Sequence, residues 1–232
     1  MNGSSRIDIF RLILVPALIS LAVTVQRTMG EVNHWSVRWF EPVTRGILPS
    51  QFGWVFGITW LAAPFGVYFA LRLSGKGQGP GSRWTAFWGG ITGFILGVFG
   101  TFFVAAWREK LLQSGLLLFL MTIWAVMVIA ALVHLWTWPA LFKTLLAYGW
   151  ASRLPVVVVY FLAMRGNWGT HYDYVDVPMF QHMPLMERFL KTAFFPQLIF
   201  WVAFTIVLGG LCGGIAVAFS QRRSSESAVD QS

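Results

Sequence analysis

The sequence predicts an all-α integral membrane protein, a polytopic bundle of about six transmembrane helices. Only 11% of the 232 residues are charged, against about 25% in an ordinary soluble domain, and 56% are hydrophobic. A soluble fold of this size could not cover its surface with so few charges. Long uncharged stretches recur, each near the roughly 20 apolar residues that a crossing helix needs. These observations exclude a soluble enzyme, a disordered chain and a disulfide scaffold, since Cys212 is the only cysteine.

Six stretches are predicted to cross the bilayer within one transmembrane domain, residues 1–220. The first keeps an uncharged core, 12–25, with no signal-peptide cleavage site after it. The fifth is the least regular because Lys143 and Arg153 interrupt it, and five helices remain if it only dips into the membrane. The polar, Ser-rich residues 221–232 are predicted to form a disordered tail. The predicted spans are 8–26, 52–72, 84–107, 111–136, 139–164 and 192–219.

The orientation follows from the placement of the basic residues. Lys and Arg divide equally between the two sides of the six-helix arrangement. One set, however, lies in the short second loop and beside helix ends, where basic residues influence topology most. We therefore expect both termini in the cytoplasm and the protein in a plasma membrane, such as the bacterial inner membrane. The net charge of +8 suits anionic lipid headgroups and indicates no nucleic-acid partner.

Glycines recur at four-residue spacing in several predicted spans. Gly89, Gly93 and Gly97 share one face of the third helix, and Gly209 and Gly213 share one face of the last. This spacing lets helix backbones approach closely. These glycine-striped faces predict packing between helices of the same chain, in preference to contact with a second copy or another membrane protein.

The connection after the first span predicts an amphipathic helix lying in the membrane interface. Glu31, His34 and Arg38 fall on one polar stripe at helical spacing, whereas Trp35 and Trp39 fall largely on another face. Trp residues prefer headgroup depth. Such a helix commonly covers the end of a bundle, and a lid over a substrate path is the alternative.

The last external loop is rich in histidine and acidic residues. Alternation in an extended segment would place His171 and Asp173 on the same side. Imidazole and carboxylate groups suit Zn, Mn or Fe, but these donors lack a recognised ligand spacing. The sequence therefore predicts no metal and no cofactor here, only a hydrogen-bonding surface. This candidate polar loop cluster consists of His34, His171, Asp173, Asp176 and His182.

Arg153 is the most unusual polar residue because it lies near the middle of the fifth predicted span. A charge at the bilayer centre costs about 3 kcal/mol, and no acidic residue occupies mid-membrane depth in any apolar span. Pro155 frees the carbonyl of Ala151 from its helical hydrogen bond. If the fifth segment spans fully, we predict that the guanidinium points into the bundle near such carbonyls. Substrate binding at Arg153 is a hypothesis, and snorkelling to the interface from a short or re-entrant segment is the interpretation that the sequence favours. His134, beside Trp136, is predicted to lie in an interfacial aromatic belt.

Three classes of function are compatible with these features. The sequence has no nucleotide-binding loop, no zinc-protease pair and no Gly-x-Ser-x-Gly elbow. A structural or accessory membrane protein needs only packed helices, and the sequence alone favours this class. A small transporter or channel for an anionic or lipid-like substrate is the alternative, since Arg153, Pro155 and Pro196 supply an intramembrane charge and interrupted helices. A membrane enzyme with its site in the external loops comes third.

Overall fold

The protein, analysed as a computed structural model, is described at residues 8–40, 57–174, 180 and 182–229, and it is helical there with no β-strand. A 3₁₀ turn, Thr59–Leu61, leads into the third helix. The helices in chain order are α1 (Ile9–Val32), α2 (Val37–Phe40), α3 (Ala62–Gly75), α4 (Arg83–Ala106), α5 (Arg108–Ser114), α6 (Leu116–Thr137), α7 (Pro139–Gly166), α8 (Leu185–Phe189) and α9 (Val202–Val229).

Five helices are long and apolar enough to cross a membrane: α1, α4, α6, α7 and the continuous helix Leu185–Ser220. The fifth predicted span, which carries Lys143 and Arg153, is the 28-residue helix α7. That length exceeds the roughly 20 residues that a crossing requires and does not fit a short re-entrant segment. Pro139 is the first residue of α7, where its missing N–H costs no helical hydrogen bond.

The second predicted span, 52–72, is described only from residue 57 onwards, and its helix continues three residues beyond the predicted end. Residues 41–56 lie outside the described part of the chain, and the helix runs through the 3₁₀ turn and α3 to Gly75. Pro64 falls in the first turn of α3, where proline is tolerated. Three residues of 3₁₀ turn and 14 of α-helix rise about 27 Å, slightly less than the hydrocarbon core.

The last helix begins at Leu185 instead of residue 192 and contains two π-helical segments, Leu190–Phe194 and Pro196–Trp201. Pro196 has no N–H to donate to the carbonyl of Thr192, so the regular pattern is interrupted there. Such wide turns are rare and recur at functional sites. The helix is described as far as Val229, and so includes most of the tail predicted to be disordered.

Helix α9 lies at the centre of the bundle, packed against α3, α4 and α7, while α4 also packs on α6 and α1 on α7. Glycine allows the closest of these contacts. A Cβ atom on Gly66 would lie 2.3 Å from the carbonyl oxygen of Gly209, so α3 and α9 meet backbone to backbone. A Cβ atom on Gly90 would likewise lie 2.9 Å from the Cα of Leu211.

The predicted glycine stripes face other helices of the same chain. On α4, Gly89, Gly93 and Gly97 lie against side chains of α6. On α9, Gly209 and Gly213 lie against α3 and α7. At these five glycines, the two helix faces are in contact with neighbouring helices of the same chain.

His134 is buried, with 2% of its surface exposed, so it does not face outwards as a residue of an aromatic belt would. Its ring fills the space left by two glycines on neighbouring helices. A Cβ atom on Gly210 would come within 2.3 Å of the ring, and one on Gly93 within 2.8 Å. The sequence pattern indicated the aromatic neighbours of His134. It did not indicate that glycines on α4 and α9 leave space for the His134 ring.

The predicted amphipathic helix after the first span is also wrong for the residues described. Helix α1 continues to Val32, so Glu31 lies in its last turn and is 1% exposed. His34 has a positive φ of 49° just beyond the helix end, where the chain turns. Only the four-residue helix α2 remains of the predicted element, and Trp35 and Trp39 are exposed beside it.

Candidate functional site: a polar cavity at Arg153

A polar cavity of about 200 Å³ lies between the helices at the end of the bundle where α1 ends and α3 begins. Five parts of the chain contribute to it: α1, the turn before α3, α7, the loop after α7, and the second π-helical segment. The lining residues are Thr24, Arg27, Gly57, Ile58, Thr59, Arg153, Val156, Tyr160, His171, Tyr172, Gln197 and Trp201.

Arg153 reaches this cavity from the middle of α7 and is 4% exposed. Its Nη1 donates to Oε1 of Gln197 at 3.2 Å, and its Nη2 donates to Oγ1 of Thr59 at 3.3 Å. The guanidinium carbon lies 5.1 Å from the centre of the Trp201 ring, a cation–π contact. The side chain thus lies inside the bundle, but its partners are side-chain oxygens and not the predicted backbone carbonyls near Pro155.

The charge of Arg153 has no carboxylate partner among the described residues, whose ion pairs all involve other groups. Its Nε is buried and has no hydrogen-bond partner. Burying a charge without a counter-ion is costly unless water or an anion compensates for it. The cavity is where such a compensating group would lie.

A second polar network, between Arg27, Glu31 and His171, adjoins the cavity, which Arg27 and His171 line. Nε of Arg27 donates to Oε1 of Glu31 at 2.9 Å, one helical turn away on α1. The backbone N–H of His171 donates to Oε2 of the same carboxylate at 3.0 Å, and Nδ1 of His171 lies 2.7 Å from both oxygens. Glu31 therefore ties the loop after α7 to the end of α1.

The protonation of His171 follows from this geometry. Burial lowers the pKa of His171, and the hydrogen bond to Glu31 opposes that shift only in part. An ionised Glu31 can only accept, so the proton of a neutral His171 is on Nδ1. Burial also raises the pKa of the adjacent Tyr172 to about 12, so its phenol is neutral near pH 7.

The alternation from which His171 and Asp173 were predicted to face the same side does not apply in the structure. The segment is a turn and not a strand. The Asp173 carboxylate accepts from the backbone N–H of Gly169 at 2.9 Å and of Thr170 at 2.7 Å. Asp173 therefore stabilises the turn that directs His171 towards Glu31.

The other described members of the predicted loop cluster do not line the cavity. His34 and His182 are exposed, and Asp176 lies outside the described residues. No three His, Cys, Asp or Glu residues of the described segments come together as metal ligands would. Among the cluster members that the structure describes, only His171 lines the cavity.

Several cavity residues, Arg27 and Gln197 among them, were not identified from the sequence. Arg27 and Glu31 are four residues apart, a spacing that signals a helical ion pair, but the predicted end of the first span at residue 26 hid it. Gln197 is a lone amide in an otherwise apolar run directly after Pro196. A polar side chain beside a helix interruption is the signal that would have identified it.

A larger groove of about 850 Å³ lies on the outside of the bundle between α4, α5 and α6. Its walls include the exposed rings of Phe99, Phe103 and Trp107. Apart from Lys110 at one end, its walls are nearly all apolar or weakly polar, which suits contact with lipid chains. The polar groups that can fix the orientation of a solute are in the smaller cavity.

No protein family, no curated protein and no solved structure matches this chain.

Proposed function

We propose that this chain is a multi-pass membrane protein that binds a small anionic solute at Arg153, as a small transporter or channel for that solute. One observation carries the proposal: a guanidinium in the middle of an apolar helix, 4% exposed, has only neutral hydrogen-bond partners and an unpartnered Nε at a polar cavity. A purely structural bundle gains no stability from an uncompensated buried charge. The arrangement therefore favours the transporter or channel over the structural or accessory role.

The cavity supports a small solute in preference to a lipid. At about 30 Å³ for each water molecule, 200 Å³ corresponds to roughly six or seven waters. A two-chain lipid is far larger than this volume. The planar fork of an arginine matches carboxylates and tetrahedral oxyanions.

The six-span arrangement with both termini in the cytoplasm is part of the proposal, with α3 as a short sixth crossing. Its support is that α3 packs along α9 and against α7, and that Nε1 of Trp138, between α6 and α7, donates to the carbonyl of Gln78, which joins the end of α3 to the α6–α7 connection. In a six-span topology both connections lie on the cytoplasmic side. The cavity then lies in the external half of the bilayer.

We also propose that the glycine stripes serve packing inside the bundle. The support is that Gly89, Gly93 and Gly97 lie against α6 while Gly209 and Gly213 lie against α3 and α7. A second copy or another membrane protein would then use other faces of the bundle.

Ligand-dependent stabilisation tests the proposed site. We expect small anions to raise the melting temperature of the purified protein in nanodiscs saturably, because an anion compensates the Arg153 charge. Arg153→Gln should abolish this effect. Arg153→Lys should retain only part of it, since a compact ammonium does not reproduce the planar fork.

Arg165→Gln is the matched control, since Arg165 is on the same helix but exposed. This variant should be stabilised by anions as much as the unmodified protein is. Anion flux into proteoliposomes should likewise be unchanged in Arg165→Gln, reduced in Arg153→Lys and abolished in Arg153→Gln. Equal anion stabilisation of the Arg153→Gln and unmodified proteins would contradict the proposal.

A further inference from the structure

The charges around the cavity define what kind of anion it can hold. Among the described lining residues, Arg27 and Arg153 are cationic. Glu31 neutralises Arg27 through their 2.9 Å contact, whereas Arg153 has no carboxylate partner. Tyr160 and Tyr172 are neutral phenols near pH 7. With a neutral His171, the described lining residues together with Glu31, which pairs with Arg27, therefore carry one net positive charge.

We propose that the cavity accepts singly charged anions while His171 is neutral, and binds doubly charged anions well only when His171 is protonated. The inference rests on the proposed anion site at Arg153 and adds its charge selectivity. A monoanion cancels the single positive charge of the site. A dianion leaves one negative charge uncompensated in a poorly polarisable environment, where such an excess is costly.

His171 is the group that can change this charge balance. Its Nδ1 is engaged with Glu31, so a second proton has to bind at Nε2. The titratable groups that influence it are Glu31 and Arg27 from α1, Tyr160 from α7, and Tyr172 and Asp173 from its own loop. Asp173 is already hydrogen-bonded within the turn, to the N–H groups of Gly169 and Thr170.

The expected pH dependence of dianion binding follows from the change in charge when His171 takes up a proton. Burial lowers the pKa of His171, so the residue is neutral at pH 8 and the site carries a charge of +1. Acidification adds a proton and raises the charge of the site to +2. A bound dianion favours that proton, whereas a monoanion is already balanced. Dianion affinity therefore rises as the pH falls, by at most about tenfold per pH unit for one proton.

Methanesulfonate and sulfate are suitable probes because their tetrahedral heads are alike and differ in charge, and neither titrates between pH 5 and 8.5. Their binding to the full-length protein in zwitterionic nanodiscs is measured by calorimetry across this pH range. We expect methanesulfonate to bind about tenfold more tightly than sulfate at pH 8, with little change on acidification. Sulfate should gain about tenfold or more by pH 5.

Two histidine variants show whether His171 is the titrating group. His171→Gln keeps a hydrogen-bonding side chain but takes up no proton, so the gain of sulfate affinity at low pH should disappear. His182→Gln, at an exposed histidine, should keep the gain. Sulfate binding as tight as methanesulfonate at pH 8, or a sulfate gain that persists in His171→Gln, would overturn the inference.

A failure of the anion site itself gives a different result. If neither probe binds in a manner that depends on Arg153, the proposed function and this inference both fall. If methanesulfonate binding depends on Arg153 but the two anions behave alike at every pH, only the charge selectivity is wrong.

Discussion

Arg153 is held in place by three contacts from outside its own helix, and none of the three neutralises its charge. Thr59 and Gln197 supply neutral oxygens, and Trp201 supplies the face of its ring. Removal of a residue that serves only stability lowers stability, whereas removal of a strained functional residue commonly does not. Measuring stability separately from binding therefore distinguishes a structural Arg153 from a ligand-binding one.

We predict that Arg153→Gln has a melting temperature equal to or above that of the unmodified protein in anion-free buffer. The substitution removes an uncompensated buried charge and keeps a polar side chain near Gln197 and Thr59. Thermal unfolding in nanodiscs measures this, with Arg165→Gln as the exposed control on α7. A fall of several degrees, confined to the Arg153 variant, would indicate a structural arginine.

At the scale of elements, the contact between α3 and α9 depends on glycine. Both helices bring a glycine to their crossing point, Gly66 and Gly209, so the backbones approach to a distance that no side chain allows. This contact positions the turn before α3, which supplies Thr59 to the cavity. A second contact, between the hydroxyls of Ser20 and Tyr148 at 2.8 Å, joins α1 to α7.

We predict that Gly66→Ala destabilises the protein by about 1–3 kcal/mol, because its Cβ would meet the backbone of Gly209 at 2.3 Å and neither backbone can yield cheaply. Gly75→Ala is the matched control at the end of the same helix, where a Cβ meets nothing within 4 Å. There the higher helix propensity of alanine should leave stability unchanged or raise it by up to about 1 kcal/mol. Equal melting temperatures for the two variants would contradict backbone contact between α3 and α9.

At the scale of the whole molecule, the cavity is assembled at one end of the bundle. It draws on the end of α1, the turn before α3, the second half of α7 with the loop after it, and the start of the last helix. In a six-span arrangement all of these lie in the external half of the membrane. The number of crossings and the side from which a solute enters are therefore linked.

We predict that a fluorescent protein that matures only in the cytoplasm is fluorescent when fused after Ser232. Six crossings return the C-terminus to the side of the N-terminus, which the basic residues of the second loop favour as cytoplasmic. Fusion after Gly79, in that loop, should also fluoresce, and fusion after Glu109 should be dark. A dark but membrane-inserted Ser232 fusion would support five crossings and reject the short span at α3.

The class of the fold and the anomaly of Arg153 were predictable from the sequence, whereas the partners of Arg153 were not. Uncharged runs and a lone charge within one of them are local features of the sequence. The thickness of the bilayer sets the length of a crossing helix, so both features can be interpreted without tertiary information. Helix ends were less predictable: α1 continues past residue 26 because Arg27 and Glu31 pair along it. Because of that extension, Glu31 is buried beside Arg27 and His171 instead of lying on an expected exposed stripe.

Composition and hydropathy by themselves determined that the chain is an all-helical bundle with long apolar helices, because such properties follow from the residues of each segment alone. Only the tertiary structure decided what surrounds the buried charge. Gln197 is 44 residues from Arg153 in sequence, Thr59 is 94 residues away, and His171 is 140 residues from Glu31. These contacts exist because α1, α3, α7 and the last helix converge at one end, and helix convergence depends on packing between segments that no local pattern encodes.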